Sequence, residues 1–330
     1  MRLALVACGL LVALLPWVIP PFVTFQLTYV AAYAIAILGL VILIGYSGQI
    51  SLGHGAFMAI GGYTAAILLA GAGIGYWVSI PLAALLAGIV GIGLGFVALR
   101  LAGVYLALAT LALAASVPPL LKRFKALTGG VQGLSLPSPH APGPLQPFVS
   151  SETWFYYLTW ALAAVAFALA WFVLRGRVGR SLRALRDSEI AAVAFGVNPV
   201  FYKTLAFGWS AAYAGIAGAI IAIVTAYASP DVYSVALSLE LLIGVVIGGL
   251  HSFLGAILGG IVVEFLPLWA QKINPAVESV VYGVALILVV IFAPGGLAGG
   301  LSRLARALRI QATPRSRPAS TIEAISEKSA

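Results

Sequence analysis

Hydrogen-bonding side chains and glycines meet in one short stretch of an otherwise apolar region, residues 45–55, GYSGQISLGHG. Glycine lets a helix unwind or lets two backbones approach closely, and the polar side chains between the glycines offer donors and acceptors. Unwound backbone at membrane depth is tolerated where it is buried in protein or lines an aqueous cavity, and transporters build substrate sites from broken helices. The alternative is a close contact between helices or a plain interfacial turn. As a candidate substrate pathway this stretch contributes Ser47, Gly48, Gln49, Ser51, Gly53 and His54.

A second glycine-rich stretch and two acidic residues are further candidates. Residues 244–260, GVVIGGLHSFLGAILGG, loosely repeat the pattern of glycines around a histidine and a serine, although a turn between two helices explains them equally well. Glu240 and Glu264 fall inside predicted membrane-spanning segments, where a carboxylate is costly and is by default a functional candidate. Two membrane acids are few for coupling to protons or sodium, which disfavours an ion-coupled carrier.

The sequence offers no centre for catalysis, metal binding or cofactor binding. The histidines His54, His140 and His251 lack metal-ligand spacing, and the single cysteine, Cys8, excludes a thiolate cluster and an intrachain disulfide. No G-x-x-x-x-G-K-[ST] phosphate loop is present. We therefore expect a chain that is not an enzyme and holds no metal or cofactor, and any ATP that drives it must be bound by another chain.

A polar segment, residues 175–203, carries a capped helix outside any apolar span. Five arginines fill its first part, and Asp187 or Ser188 then provides an N-cap. Residues 190–195 are apolar, and Gly196 ends the helix ahead of an Asn-Pro pair that prevents its continuation. Such a helix lies either in the lipid headgroups or against a soluble partner. The candidate docking residues are Glu189, Ile190, Ala191, Ala192, Phe195 and Gly196.

The composition indicates a polytopic membrane protein. Of 330 residues, 62% are hydrophobic and 8% are charged, against about 25% charged in soluble domains. The apolar runs are continuous rather than alternating, which predicts helices rather than a barrel. The net charge of +9 lies in loops and a tail, so that membrane topology explains it and nucleic acid is not needed as a partner. We predict an all-α polytopic protein with ten spanning helices over residues 3–19, 25–44, 56–70, 79–99, 101–117, 154–174, 204–227, 235–250, 253–270 and 276–292.

Lysine and arginine predict the orientation of these helices. With residues 175–203 in the cytoplasm, both termini also lie inside, and the positive-inside rule is satisfied. The basic residues left outside are Lys122, Arg123, Lys125 and Lys272. We predict a membrane domain over residues 1–300 and a disordered cytoplasmic tail over residues 301–330. Its long loops are a proline-rich external one over residues 128–153 and a cytoplasmic one over residues 175–203.

Taken together, these segments resemble a permease subunit of the branched-chain amino-acid ABC importers. The most specific similarity lies in residues 179–218, GRSLRALRDSEIAAVAFGVNPVFYKTLAFGWSAAYAGIAG. The external LTGGVQGL segment and the late glycine-rich loop resemble the M-type subunit more than its H-type partner. The similar blocks are residues 45–63, 127–134, 179–218, 238–260 and 292–297.

The resemblance implies a set of partners in the cytoplasmic (inner) membrane of a bacterium. In this family a second permease subunit completes a heterodimer, two cytoplasmic ATPases drive transport, and a periplasmic binding protein delivers leucine, isoleucine or valine. Residues 189–195 then resemble the coupling helix that docks on an ATPase. As a separate hypothesis, helix N-termini and unpaired backbone groups near residues 45–55 meet the charges of the substrate. Contact with membrane lipid is expected around the whole bundle.

Two positions depart from the family pattern, so that the identity of the substrate stays open. Ala114 and Ala115 occupy a stretch where relatives commonly carry a glutamate, and His251 stands where a glycine is expected. Related importers for urea and short amides share the same blocks, so that such an importer is the first alternative. An ion-coupled secondary transporter that works alone is the second. A membrane-embedded enzyme would need clustered His, Asp or Glu in adjacent spans, which the sequence lacks.

Overall fold

The computed structural model describes residues 9, 12–101, 103–138, 140–142, 149–273, 281, 283–284, 287–288, 291 and 295–300. Its first half contains α1 (Pro21–Leu40), a π-helix that continues α1 (Val41–Tyr46), α2 (His54–Gly71), α3 (Tyr76–Ala98), α4 (Val104–Arg123), α5 (Lys125–Thr128), a 3-10 turn (Gly130–Gln132) and β1 (Leu134–Ser135). Its second half contains α6 (Ser151–Arg175), α7 (Arg177–Asp187), α8 (Glu189–Ala194), α9 (Pro199–Val224), β2 (Tyr227–Ala228), α10 (Val235–Gly248) and α11 (Phe253–Ile273).

Seven helices in the described part of the chain are long and apolar enough to cross a membrane. They are α1 with its π-helical continuation, α2, α3, α4, α6, α9 and α11. Each corresponds to one of the predicted spans, which confirms the all-α polytopic class. Of the predicted segments, residues 276–292 lie largely outside the described residues, as do residues 3–8, 10 and 11 of the first segment, in which residues 12–18 are helical.

The remaining predicted span, residues 235–250, is a shorter helix. Its 14 residues in α10 give a length of about 21 Å, too short for a hydrocarbon core of about 30 Å. The helix ends at Gly249, whose φ of 122° breaks the helical geometry. A turn then leads directly into α11 at Phe253, so that α10 and α11 pack against each other.

Predicted boundaries were wrong in α4, which is longer than residues 101–117. The helix runs to Arg123 and contains Pro118 and Pro119. Two adjacent prolines in the last turns remove backbone donors without stopping the helix, and it ends where Phe124 leaves the helical region.

Two helices form the centre of the bundle, α1 with its continuation and α9. Both are 78% buried over their apolar windows, whereas the buried share in α3, α4, α6 and α11 is between 22% and 33%. Close approach depends on small residues, because Gly61 of α2 lies directly against the backbone of Gly215 in α9. Most buried residues of α9 are alanines and glycines, and α9 lies against α1, α2 and α3 at once.

The two ends of α9 mark the two ends of the bundle. Near Val224, β2 pairs antiparallel with β1, with Ala228 opposite Leu134. Lys122 and Asp231 form an ion pair of 2.5 Å at the same end. The helices α7 and α8 and residues 45–55 lie at the other end of the bundle, near Pro199. Which face of the membrane each end meets remains a prediction from the positive-inside rule.

Candidate functional site

The predicted pathway segment, residues 45–55, follows a π-helix that ends α1. Single π-helical turns are rare and are often found at functional sites. Beyond Tyr46 the chain is extended or turned for several residues before α2 begins at His54. A broken helix therefore stands here, as the glycines predict. Its polar side chains Ser47, Gln49, Ser51 and His54 are all buried, whereas Gly48 is exposed.

Three neighbouring helices hold the backbone and side chains of this segment in place. The Leu52 N–H donates to Thr110 Oγ1 of α4 at 2.9 Å, and the Gly55 N–H donates to Ser238 Oγ of α10 at 2.9 Å. Gln49 Nε2 donates to the Lys203 carbonyl of α9 at 3.3 Å. The segment thus joins parts of the chain that are far apart in sequence.

His54 has a defined hydrogen-bonding arrangement with Ser210 of α9. The Ser210 hydroxyl donates to the Gly39 carbonyl at 2.6 Å, which uses its single proton. His54 Nε2 lies 2.8 Å from the same Ser210 oxygen and must therefore be the donor. In a neutral imidazole the other nitrogen, Nδ1, is then an acceptor.

Two buried acceptors of this segment have no hydrogen-bond partner among the described residues. They are His54 Nδ1 and the side-chain carbonyl Gln49 Oε1. Unpaired buried polar atoms are few in native proteins, because each costs about 1–3 kcal/mol. The N–H groups of both side chains are already hydrogen-bonded, so only these two acceptor atoms remain available to a ligand or a water molecule.

Glycines at this site are required by close contacts. Gly48 has a φ of 72°, and a Cβ there would lie 2.8 Å from Arg186 Cγ. A Cβ on Gly53 would lie 3.1 Å from the Thr110 carbonyl oxygen, and Gly45 lies directly against the Leu250 carbonyl. The structure therefore brings the predicted pathway residues together, while α7 and the late glycine-rich loop close around them.

The predicted docking helix is present as α8, Glu189–Ala194, with Phe195 as its C-cap. Of the two predicted N-caps, Ser188 is the one used, and its Oγ accepts the Ala191 N–H at 3.3 Å. Gly196 adopts a φ of 80° and ends the helix. The following Asn-Pro pair begins α9, because Asn198 caps its N-terminus by accepting the Phe201 N–H at 3.2 Å.

Apolar side chains of this helix point away from the protein. Ile190 is 87% exposed and Phe195 is 88% exposed, and Val193 and Ala191 are also exposed. Only Ala192 among its apolar residues is buried. The helix is held on its inner side by an ion pair of 2.5 Å between Glu189 and Lys203 of α9.

Arg186, at the end of α7, connects the docking helix to the pathway segment. Its Nη1 donates to the Gly45 carbonyl at 2.6 Å, and its Nη2 lies 2.8 Å from Asp187 Oδ1. The aliphatic part of the same side chain lies against Gly48. Sequence reasoning listed Arg186 as one of five arginines and missed this role, as it missed Thr110, Ser210 and Ser238.

The other chemical candidates are not among the buried polar groups of this site, although His251 follows Leu250, which contacts Gly45. His140 and His251 are exposed, and Glu240 of α10 and Glu264 of α11 are partly buried. Among the described residues no group of three His, Cys, Asp or Glu side chains could hold a metal ion. The polar side chains of residues 45–55 are therefore neutral hydrogen-bonding groups, and the charged side chain that contacts the segment is Arg186.

A helical bundle built around a broken, polar-lined helix, with an exposed apolar helix at one end, defines a membrane permease. The chain belongs to the family described as branched-chain amino acid transport system / permease component, which matches residues 22–290. No solved structure matches the chain.

Relatives within the family are permease subunits of two kinds. The chain is 34% identical over 320 residues to the high-affinity branched-chain amino acid transport system permease protein LivM of Escherichia coli (strain K12), covering 90% of this chain and 74% of the relative. It is 35% identical over 294 residues to LivM of Salmonella typhimurium, covering 82% and 68%. With LivH of Escherichia coli (strain K12) it shares 27% identity over 284 residues, covering 82% and 92%. The chain is thus a permease component similar to LivM.

Proposed function

We propose that this chain is the M-type permease subunit of an ATP-driven importer for leucine, isoleucine, valine or a related neutral amino acid in a bacterial inner membrane. A second permease subunit forms the pathway with it, two cytoplasmic ATPase subunits drive it, and a periplasmic binding protein delivers the substrate. The names of its LivM and LivH relatives support the substrate class and the pairing of two similar permeases.

The exposed apolar helix α8 is the observation that supports ATPase docking best. Ile190 and Phe195 are almost completely exposed at the polar end of the bundle. Caps at both ends and the ion pair with Lys203 hold this short helix in place without a partner. Large side chains presented on a rigid support are typical of interface residues that carry most of the binding energy.

Force on α8 reaches the pathway segment through two connections. Arg186, at the end of α7, donates to the Gly45 carbonyl. Lys203 of α9 pairs with Glu189 of α8 through its side chain and accepts from Gln49 through its backbone carbonyl. A displacement of α8 by closing ATPases therefore moves both ends of residues 45–49. We infer that this movement opens and closes the pathway.

The pathway itself is proposed to run past Ser47, Gly48, Gln49, Ser51, Gly53 and His54. The free acceptors of this segment, His54 Nδ1 and Gln49 Oε1, suit the ammonium group of a neutral amino acid. An amino acid with an apolar side chain has no net charge, so that a site made of dipoles rather than ion pairs matches its chemistry. The same acceptors suit the N–H groups of urea or an amide, which keeps that importer as the alternative.

The docking proposal is tested by capture of ATPase subunits on the detergent-solubilised chain. We expect Phe195→Ala to lower retention of co-expressed ABC ATPases by about tenfold or more, as expected for an interface anchor. Phe124→Ala is the matched control, because Phe124 is 58% exposed at the opposite end of the bundle. Equal retention by both variants would contradict docking on α8.

Substrate class is tested by uptake. Proteoliposomes that contain both permeases and the ATPases are supplied with binding proteins loaded with leucine, isoleucine, valine, urea or acetamide. Uptake of branched-chain amino acids alone supports the proposed class. Uptake of urea or acetamide alone would assign the alternative, and uptake without ATP would assign an ion-coupled carrier.

A further inference from the structure

A cavity of about 380 Å³ lies beside the pathway segment, where four elements end or begin. It is bounded by the last turn of α6, by α7, by the end of the π-helix and by the first residue of α11. Tyr46, at the start of the pathway segment, lines it, whereas the candidate pathway residues Ser47–His54 and the docking helix do not. Its walls are formed by Tyr46, Trp171, Leu174, Arg175, Arg183 and Phe253.

Both arginines of this cavity lie within cation–π distance of an aromatic ring. The guanidinium carbon of Arg175 lies 3.9 Å from the centre of the Trp171 ring, and that of Arg183 lies 5.8 Å from the centre of the Tyr46 ring. An arginine held near an aromatic face can still donate its N–H groups to an oxyanion. Arg183 uses only Nε, which donates to the Gly179 carbonyl at 3.1 Å.

No carboxylate neutralises these two charges in the part of the chain that the structure describes. The ion pairs there join Lys122 to Asp231, Arg186 to Asp187 and Lys203 to Glu189. Guanidinium N–H groups are well suited to hydrogen-bond phosphate oxygens. A cavity lined by two arginines and no carboxylate therefore favours an anion, and phosphate is an anion that arginine binds well.

The surroundings of the cavity indicate that the phosphate belongs to a lipid. Leu174 is buried and Phe253 is half-buried in its wall, and the Phe253 ring lies 6.4 Å from those of Tyr46 and Phe167. These apolar surfaces continue from the cavity along α6 into the membrane-spanning part. Free phosphate would gain nothing from them, whereas an acyl chain would bury apolar surface there.

We propose that this arginine–aromatic cavity binds the phosphate headgroup of an anionic phospholipid, with Arg175 and Arg183 as its ligands. Trp and Tyr beside arginine at the end of spanning helices are typical of the membrane interface. The exposed Arg177 and Arg180 of α7 add attraction to an anionic surface without forming part of the cavity. The site does not depend on the transported substrate.

Native mass spectrometry of the full-length chain tests the site. The purified chain is mixed with phosphatidylglycerol and phosphatidylethanolamine in equal amounts, and retained lipid is counted. We expect phosphatidylglycerol to be retained preferentially, and Arg175→Gln with Arg183→Gln to reduce that retention about 10- to 30-fold. The control pair, Arg177→Gln with Arg180→Gln, removes the same charge from the same region and should reduce it less than threefold.

Two results would overturn the proposal. Equal loss in both double variants would mean that the overall charge, not the cavity, attracts the lipid. Displacement of phosphatidylglycerol by an excess of inorganic phosphate would assign a free-phosphate site instead. Fluorescence provides a test that needs no arginine variant: brominated phosphatidylglycerol should quench the unchanged chain more than Trp171→Phe, and equal quenching would also contradict the site.

Discussion

Residues 45–55 bury polar side chains, whereas the α7–α8 region exposes large apolar ones. The first is rich in hydrogen-bonding side chains, yet Ser47, Gln49, Ser51 and His54 are buried. The second presents Ile190 and Phe195 outside the bundle. Burying polar groups and exposing large apolar ones both cost free energy unless a partner compensates.

The difference lies in where that partner comes from. Residues 45–55 find most of their partners within the same chain, in Thr110, Ser210 and Ser238, and keep two acceptors free. Within the described part of the chain, the large apolar side chains of α8 stay exposed and only Ala192 is buried. This difference is what the proposed functions require, a small polar ligand at residues 45–55 and a protein partner at α8, and Arg186 joins the two regions.

The largest effect is expected from Gly48→Val, which disturbs the contact between the two regions. A β-branched residue at a φ of 72° is strained by about 1–3 kcal/mol. Its side chain would also push the Arg186 stem away and break the bond to Gly45. We expect uptake to be abolished while the ATPases still bind, measured by uptake and by co-purification.

Gly73→Val is the control for that variant. Gly73 has a φ of 65° and nothing within 4 Å of a Cβ, so that it carries the backbone strain without the clash. Uptake should persist there. If both variants transport equally well, the contact between Gly48 and Arg186 has no part in coupling.

The second largest effect is expected from His54→Phe, which removes the free acceptor and keeps an aromatic ring. We expect uptake to fall about tenfold or more, since a lost hydrogen bond to a charged group costs about 1.5–3 kcal/mol. His251→Phe, at an exposed turn, should have little effect. Uptake and its KM are measured for both. Normal uptake by His54→Phe would assign residues 45–55 to packing alone.

A third prediction separates charge from contact in Arg186→Met. Methionine keeps the aliphatic stem over Gly48 but loses the donor to the Gly45 carbonyl. We expect ATPase binding to be unchanged and uptake per ATP hydrolysed to fall about three- to tenfold, because the two regions are then joined less firmly. Arg180→Met, on the exposed face of α7, should leave this ratio unchanged. A normal ratio in Arg186→Met would mean that the hydrogen bond from Arg186 to Gly45 has no part in coupling and that only the connection through Lys203 remains.

The smallest effect is expected from Ser188→Ala, which removes the N-cap of α8. Loss of such a cap costs about 1 kcal/mol of local helix stability. We expect a two- to fivefold weaker retention of the ATPases with the fold unchanged, measured by titration of purified ATPase. Ser181→Ala, within α7, is the control. A loss as large as that of Phe195→Ala would mean that the cap serves more than local helix stability.

Local signals predicted one of the two regions well. Ser188, Gly196 and the apolar residues between them are sequence neighbours, and the caps and ends of α8 follow directly from them. The helix α7 was missed, because five arginines drew attention to charge. Yet Val178, Leu182 and Leu185 recur at helical spacing, and Leu182 and Leu185 are buried.

The other region could be predicted only in part. Glycines and polar residues indicate a break, but the π-helix has no distinct sequence pattern. The partners of Leu52, His54 and Gly55 lie 58, 156 and 183 residues away. Single serines and threonines in apolar helices give no signal of which neighbour they meet, so that these contacts had to come from the structure.

The helix α9 connects the two ends of the bundle. Its 26 residues run without interruption from Pro199 to Val224, a rigid shaft of about 39 Å. Its first turns carry Lys203, and beyond its last turn Tyr227 and Ala228 hold the strand of the opposite loop. We propose that a rotation imposed on one end of α9 is carried along the helix to its other end, so that partners bound at opposite ends of the bundle influence each other.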